Sequence, residues 1–143
     1  MKQRLLQATV AMTLGLAGLA GAQERPQGYP LVPLFSTGTN IVGETIRYPT
    51  TGVAKVTAAI VTIAAGAKTI THEHGVPMFA YILDGELTVD YGTHGKRMYR
   101  KGDAFMEAIS VEHFGVNPGT QPVRILVVYM GAEGSPPDTI PKN

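Results

Sequence analysis

Apolar and polar residues alternate in short runs along much of this chain. Over residues 86–91, Leu87, Val89 and Tyr91 alternate with polar side chains, which is the period of a strand with one buried face. A longer run over residues 55–65 is rich in β-branched side chains, which favour strands. No segment keeps a helical period over three turns. The pattern predicts an all-β chain.

Turn-forming residues divide these runs into many short strands. Asp84 and Gly85 fit a two-residue hairpin turn. Strands are predicted over residues 55–65, 79–83, 86–91, 97–99, 104–107, 113–116 and 123–130, with one or two edge strands within 34–51. We expect the first of them to be buried on both faces, because its alternation is imperfect. This density of strands and turns is typical of an all-β barrel or sandwich.

Proline-rich segments flank the predicted strands on both sides. Residues 23–40 contain three prolines and are predicted to form an extended arm, since proline excludes a helix interior. Residues 135–143 contain three more and are predicted to be an exposed, loosely held tail. The domain itself is therefore expected over residues 41–134.

The N-terminal 22 residues have the features of a secretory signal peptide. Lys2 and Arg4 precede a mostly apolar run with small residues, and Ala20 and Ala22 form a cleavage pattern before Gln23. The alternative is an uncleaved membrane anchor, although the run is short for a span. We expect a periplasmic or secreted protein with no membrane attachment after cleavage.

Length, charge and cysteine content narrow the function classes. The 143 residues suffice for one domain, and the absence of cysteine excludes disulfides and thiolate ligands. The formal net charge is +1; loss of Lys2 and Arg4 leaves ten basic and eleven acidic residues, a net charge of −1. A near-neutral chain without a basic stripe is a poor candidate for binding nucleic acid.

Two histidines, His72 and His74, give the first indication of chemistry. Residues two apart point to the same face of a strand, so their imidazoles should project side by side. Two convergent imidazoles favour a transition metal, while Glu73 between them should point the other way and face solvent. His94 lies in a loop flanked by glycines and is expected to be a surface residue.

A second segment completes a resemblance to the cupin family. The two cupin motifs are G-x5-H-x-H-x3/4-E-x6-G and G-x5-P-x-G-x2-H-x3-N. The matching residues are Gly66, His72, His74, Gly85, Gly102, His113 and Asn117. Met78, Ala108 and Ser110 stand where the family usually has glutamate, proline and glycine.

The resemblance implies a double-stranded β-helix, the cupin or jelly-roll barrel, with antiparallel strands. It also implies that His72, His74 and His113 bind a divalent transition metal. The metal is zinc, copper, iron, nickel or manganese, and spacing does not choose among them. Cupins often dimerise through strands near the N-terminal end, so a homodimer is expected. Asn117 is expected to hold a turn before Pro118.

Met78 and Glu107 leave alternatives open at this site. Met78 is either an apolar wall of the pocket or a long axial sulfur ligand that favours copper. Glu107 is the candidate catalytic base, and it would replace the missing carboxylate if its side chain points inward. Glu112, beside His113, is expected on a surface loop.

The function classes that remain are all compatible with a cupin. The first is a metal-dependent enzyme, an oxygenase or a lyase or isomerase, acting on a small anionic or phenolic molecule. The second is a non-catalytic module that binds a metal or a small ligand for sensing or storage. The third is a metal-free structural protein.

Overall fold

Strands dominate the computed structural model, which describes residues 28–142. In that range the strands are β1 (Ala54–Ile63), β2 (His72–Glu73), β3 (Met78–Asp84), β4 (Glu86–Asp90), β5 (Lys96–Arg100), β6 (Ala104–Met106), β7 (Phe114–Val116), β8 (Val123–Ala132) and β9 (Ile140–Pro141). A 3-10 turn, Gly92–His94, joins β4 to β5. No helix within 28–142 has the length and apolar character needed to span a bilayer. The predicted signal peptide lies outside the described residues.

The strands form three antiparallel sheets. The largest has the order β1-β8-β3-β6, the second has the order β5-β4-β7, and β2 pairs with β9 alone. Chain neighbours β3 and β4 therefore lie in different sheets. Gly85 joins them with φ +82°, and a Cβ there would lie 2.9 Å from the Cα of Val123. Only glycine fits this turn without strain, because it adopts positive φ freely and has no side chain.

The core lies between the two larger sheets. Alternate residues of each strand point inward, as the period of two requires. Buried side chains from the larger sheet include Ala80, Ile82, Val123, Ile125 and Val127; those from the three-stranded sheet include Leu87, Val89 and Tyr99. The predicted all-β, antiparallel double-stranded β-helix is confirmed, and the alternation over β4 identified its buried face correctly.

The predicted edge strands within residues 34–51 do not form. The segment contains a single bridge, between Thr39 and Thr45. Between them the Asn40 side-chain oxygen accepts hydrogen bonds from the backbone N–H of Val42 at 3.2 Å and of Glu44 at 2.9 Å. This local side chain to backbone bonding replaces the ladder that a strand would need.

Strand β1 is an edge strand, and the expectation that both its faces are buried is wrong. Among the described strands it pairs with β8 alone. Its residues alternate between an inward face that includes Val61 and Ile63 and an outward face that includes Val56 and Ile60. Val56 is 65% exposed and Ile60 is 47% exposed. The outward face is therefore apolar but exposed. The imperfect alternation of the sequence arose because both faces carry apolar residues, although only the inward face is buried.

The C-terminal segment is held more firmly than the sequence predicts. Ile140 and Pro141 pair with Glu73 and His72. The backbone N–H of Lys142 donates to Thr71 O at 3.0 Å. The prediction of a loosely held tail is therefore wrong for residues up to Lys142, because backbone pairing overrides the weak preference of a proline-rich sequence.

Residues before the domain have no regular structure where they are described. The chain divides into two units at Val32 and Pro33, and residues 28–32 of the first unit form no strand. In the second unit, Phe35 stacks on Phe79 with ring centroids 5.8 Å apart. Of the predicted arm, residues 23–27 lie outside the described part of the chain.

Candidate metal centre

Three histidines converge where β2 meets the start of β7. His72 lies in β2, His74 follows it directly, and His113 immediately precedes β7. His72 and His113 are bridged through their backbones, with N–H to O distances of 2.9 and 3.0 Å. Their ring centroids are 4.5 Å apart, and His74 lies 5.0 and 5.2 Å from the two. The ligand atoms of all three lie within 4.8 Å of one another.

Backbone carbonyls fix the tautomer of each ring. The Nδ1 atoms of His72, His74 and His113 lie 2.8 Å from the carbonyl oxygens of Ile70, Asp138 and Val111. A carbonyl oxygen can only accept, so each Nδ1 carries a proton and donates. A neutral ring then has its lone pair on Nε2, which is the arrangement of metal-ligating histidines.

The inward-facing nitrogen atoms fit a metal. Nε2 of His74 and Nε2 of His113 are buried and have no hydrogen-bond partner among residues 28–142. An unsatisfied buried acceptor costs roughly 1–3 kcal/mol, and a metal bound to both atoms would remove that cost. The donor set of three imidazoles suits first-row transition metals. His72, His74 and His113 can therefore hold such an ion together.

Burial keeps these histidines neutral. Burial lowers the pKa of His74 to about 4, against the opposing hydrogen bond to Asp138. Burial also lowers the pKa values of His72 and His113. Neutral imidazole is the form that binds metal, so the three rings are ready to coordinate near neutral pH.

Glu107 points inward beside the histidines. It follows β6, and its side chain is only 5% exposed. One carboxylate oxygen accepts from the backbone N–H of Ala108 at 2.8 Å, and the other lies 3.9 Å from Nε2 of His113. Burial raises the pKa of Glu107 to about 7, although hydrogen bonds from Tyr91 and Ala108 oppose the rise. A carboxyl with such a pKa can both accept and donate a proton at neutral pH.

A small cavity of about 70 Å³ lies beside these groups. Its polar lining comprises Thr69, His72, His74, Glu107, His113 and Tyr129. The remaining lining is apolar and includes Met78, which is 6% exposed and packs in the hydrophobic core. Among the described residues, no lysine or arginine lines this cavity. The cavity therefore offers little positive charge of its own.

The other residues singled out from the sequence lie away from the cavity. His94 is exposed on the 3-10 turn, and Glu112 is exposed. Glu73 forms an ion pair with Lys142 at 2.8 Å and is partly covered by it, where the sequence predicted a solvent-facing side chain. Asn117 donates to Ile63 O at 2.9 Å and accepts from the backbone N–H of Gly119 at 2.9 Å, so it does hold the predicted turn.

A comparison with protein-family models identifies the fold family. The model described as a cupin domain matches residues 59–129. This chain carries a cupin domain and belongs to the cupin family. The matched range contains every motif residue from Gly66 to Asn117, including the three histidines. No curated protein gives a significant match to the sequence.

Several solved structures are similar to this chain, and two of them, with TM-scores above 0.5, share its fold. A sugar phosphate isomerase of the cupin superfamily from Silicibacter pomeroyi is 25% identical over 52% of this chain and 50% of that chain, with a TM-score of 0.46. The polyketide cyclase RemF from Streptomyces resistomycificus is 20% identical over 71% of this chain and 69% of that chain, with a TM-score of 0.53. An oxalate decarboxylase from Lactobacillus farciminis is 23% identical over 60% of this chain and 26% of that chain, with a TM-score of 0.52. Because this cupin spans half of the first protein and a quarter of the third, their activities do not transfer to it.

Two contributors to the cupin site were missed by sequence reasoning. The carbonyl of Asp138 holds the ring of His74 across 64 positions of sequence, and a backbone acceptor leaves no signal in residue type. Tyr91 lies beside His113, with ring centroids 5.6 Å apart, and its hydroxyl lies 3.1 Å from that of Tyr99. The alternation had placed Tyr91 on the apolar face of its strand, but a buried hydroxyl there needs a polar partner, and that need was the available signal.

Proposed function

We propose that this cupin is a metalloenzyme of the lyase or isomerase type that acts on a small phenolic or singly charged anionic molecule. Nε2 atoms of His72, His74 and His113 would hold a divalent transition metal, and Glu107 would move the proton. The observation that carries the proposal is the convergence of two partnerless, buried Nε2 atoms with a buried carboxyl whose pKa is raised to about 7.

Three imidazole nitrogens restrict the metal to the first-row transition ions but do not select one of them. Zinc, copper, iron, nickel and manganese all accept imidazole nitrogen. When bound, such an ion polarises a substrate oxygen and stabilises the negative charge that develops on it. Three neutral imidazoles leave the charge of the ion uncompensated, which favours an anionic oxygen ligand or the ionised form of Glu107.

Glu107 has the properties of a proton carrier. Its carboxyl oxygen lies 3.9 Å from Nε2 of His113, so it reaches the space that the imidazoles share. Burial raises the pKa of this carboxyl to about 7 in the metal-free site, and a bound cation would lower it again. The ionised carboxylate is then a base that can take a proton from a substrate and return it at another position. The backbone N–H of Ala108 donates to the other carboxylate oxygen at 2.8 Å, which orients the group. A proton taken and returned, with no net oxidation, is the requirement of an isomerase or a lyase.

The cavity supports a small, mostly apolar substrate. Its volume is about 70 Å³, whereas pockets for drug-sized ligands reach roughly 300–1,000 Å³. The described lining contains no lysine or arginine. The charge of a doubly charged anion would therefore be balanced only by the metal, and an ionised Glu107 would repel the anion. A phenol or enol would offer a single oxygen to an ion held by the histidines and would place its carbon atoms against the apolar walls of the cavity.

Proton exchange tests this proposal directly. The protein would be stripped with chelator, reloaded with each of the five metals in turn, and mixed with small phenols and enolisable carbonyl compounds in D2O. We expect metal-dependent exchange of carbon-bound hydrogen, followed by NMR, that Glu107→Gln abolishes and Glu112→Gln retains. Tight metal binding with no exchange or turnover would favour the second candidate, a non-catalytic metal-binding module, which the small size of the cavity also suits.

We also propose that the protein is a homodimer exported to the periplasm or beyond the cell. The exposed apolar face of β1 supports the dimer, since Val56 and Ile60 are 65% and 47% exposed and uncovered apolar patches mark interaction sites. The pattern of residues 1–22 supports export. N-terminal sequencing of protein recovered from a periplasmic fraction should begin at Gln23; a chain that begins at Met1 there would contradict cleavage.

A further inference from the structure

The C-terminal strap, defined here as residues 136–142, runs directly over the metal-binding edge. Its strand β9 pairs with β2, which contains His72. Backbone bonds fasten both ends: Gly75 N–H donates to Pro137 O at 3.2 Å and Lys142 N–H donates to Thr71 O at 3.0 Å. The strap therefore covers the segment that supplies two of the three histidines.

One metal ligand depends on the strap and the other two do not. His72 and His113 donate to carbonyls two residues earlier in their own segments, Ile70 and Val111. His74 donates to the carbonyl of Asp138, which belongs to the strap. If the strap leaves, His72 and His113 keep their orienting partners and His74 loses its own.

At Gly75 the strap lies so close to the chain that there is no room for a side chain. A Cβ built on Gly75 would lie 2.3 Å from Pro137 O and 2.7 Å from the Cβ of Pro136. Gly75 has no positive φ, so an alanine there is excluded only by the strap and not by its own backbone. Gly38 also has no positive φ and has nothing within 4 Å of its Cβ position. The pair offers a matched probe and control.

We propose that the C-terminal strap is a latch on the metal centre, whose docking sets the metal affinity through the Asp138 carbonyl. This inference rests on the proposed metal site. Docking holds the His74 ring and its tautomer ready for the metal. By thermodynamic linkage, a bound metal must hold the strap in place to the same degree. A partner that captures the strap would therefore weaken metal binding.

The first test compares zinc affinities of full-length variants by competition with a chromophoric chelator. Gly75→Ala should weaken zinc binding about 10- to 100-fold, the usual effect of losing an outer partner of a ligating histidine. Gly38→Ala should bind zinc as the wild type does. Equal affinity of Gly75→Ala and wild type would overturn the latch while leaving the metal centre intact.

The second test measures amide hydrogen exchange at Lys142, which lies 67 positions from Gly75. Zinc should slow this exchange in the wild type, and Gly75→Ala should speed it in the metal-free protein. A weaker affinity with Lys142 still protected would mean that the alanine disturbs His74 directly, and the latch would be wrong. Wild-type protein that binds no zinc would instead remove the metal centre, and the latch with it.

Discussion

Replacing Glu107 by glutamine should stabilise the metal-free protein at alkaline pH. The carboxyl is 5% exposed, and burial raises its pKa from 4.5 to about 7. Between those values the unfolded chain loses the proton while the folded chain keeps it, so stability falls as the pH rises from 4.5 to 7 and stays low above. Glutamine has no proton to lose. It can still accept from the Ala108 N–H through its amide oxygen.

The magnitude follows from the pKa difference. At about 1.36 kcal/mol per pKa unit, the ionised carboxylate costs the folded metal-free protein about 3 kcal/mol above pH 7. Urea unfolding of chelator-treated protein at pH 4.5 and pH 8 measures this cost. We expect Glu107→Gln to exceed the wild type by about 3 kcal/mol at pH 8 and to match it closely at pH 4.5. The exposed Glu112→Gln should match the wild type at both.

A bound metal should reduce the stability advantage of Glu107→Gln over the wild type. Its positive charge stabilises the ionised carboxylate, so saturating zinc should raise the stability of the wild type more than that of Glu107→Gln. A Glu107→Gln protein that gains no stability over the wild type between pH 4.5 and pH 8 would refute the burial argument. It would also remove the basis for a carboxyl that titrates near pH 7.

Three further substitutions probe the cavity, the turn and the exposed strand. Met78→Leu should leave metal content and metal preference unchanged, because Met78 packs as an apolar wall; selective loss of copper would show a sulfur ligand instead. Asn117→Ala should lower the unfolding free energy by about 2–4 kcal/mol in a denaturant titration. The reason is that the buried Asn117 side chain makes three hydrogen bonds. A loss below about 1 kcal/mol would contradict that role. Val56→Lys should shift the protein from dimer to monomer in light scattering, while Met98→Lys on β5, at a residue that is 54% exposed, should not; a monomeric wild type would refute the dimer.

Local sequence signals predicted most of the strands and the side-by-side placement of His72 and His74, because both depend on short-range spacing. The alternation over β4 reports the pleat directly, and the spacing of His72 and His74 places both rings on one side. The motif spacing then brought in His113 from a distant segment. Glu107 proved to point inward, which the sequence left open because parity next to a turn is not readable.

Features that depend on distant or missing neighbours were not predictable. Apolar content over β1 suggested burial, but burial depends on what covers the strand, and no segment within residues 28–142 covers its outward face. The Asn40 side chain displaced a predicted strand by bonding to its own loop. The carbonyl of Asp138 orients His74. Every residue has a backbone carbonyl, so the residue type at position 138 gives no sign of this contact.

The most direct test of the metal centre is the metal content of protein recovered from the cell, measured by mass spectrometry with His74→Ala and His94→Ala beside the wild type. His94 is the matched control because it is exposed and lies outside the cluster. We predict close to one transition-metal ion per chain in the wild type and in His94→Ala, and loss of the ion in His74→Ala. A wild type that carries no metal and takes none up on reconstitution would contradict the metal centre, as would full occupancy in His74→Ala.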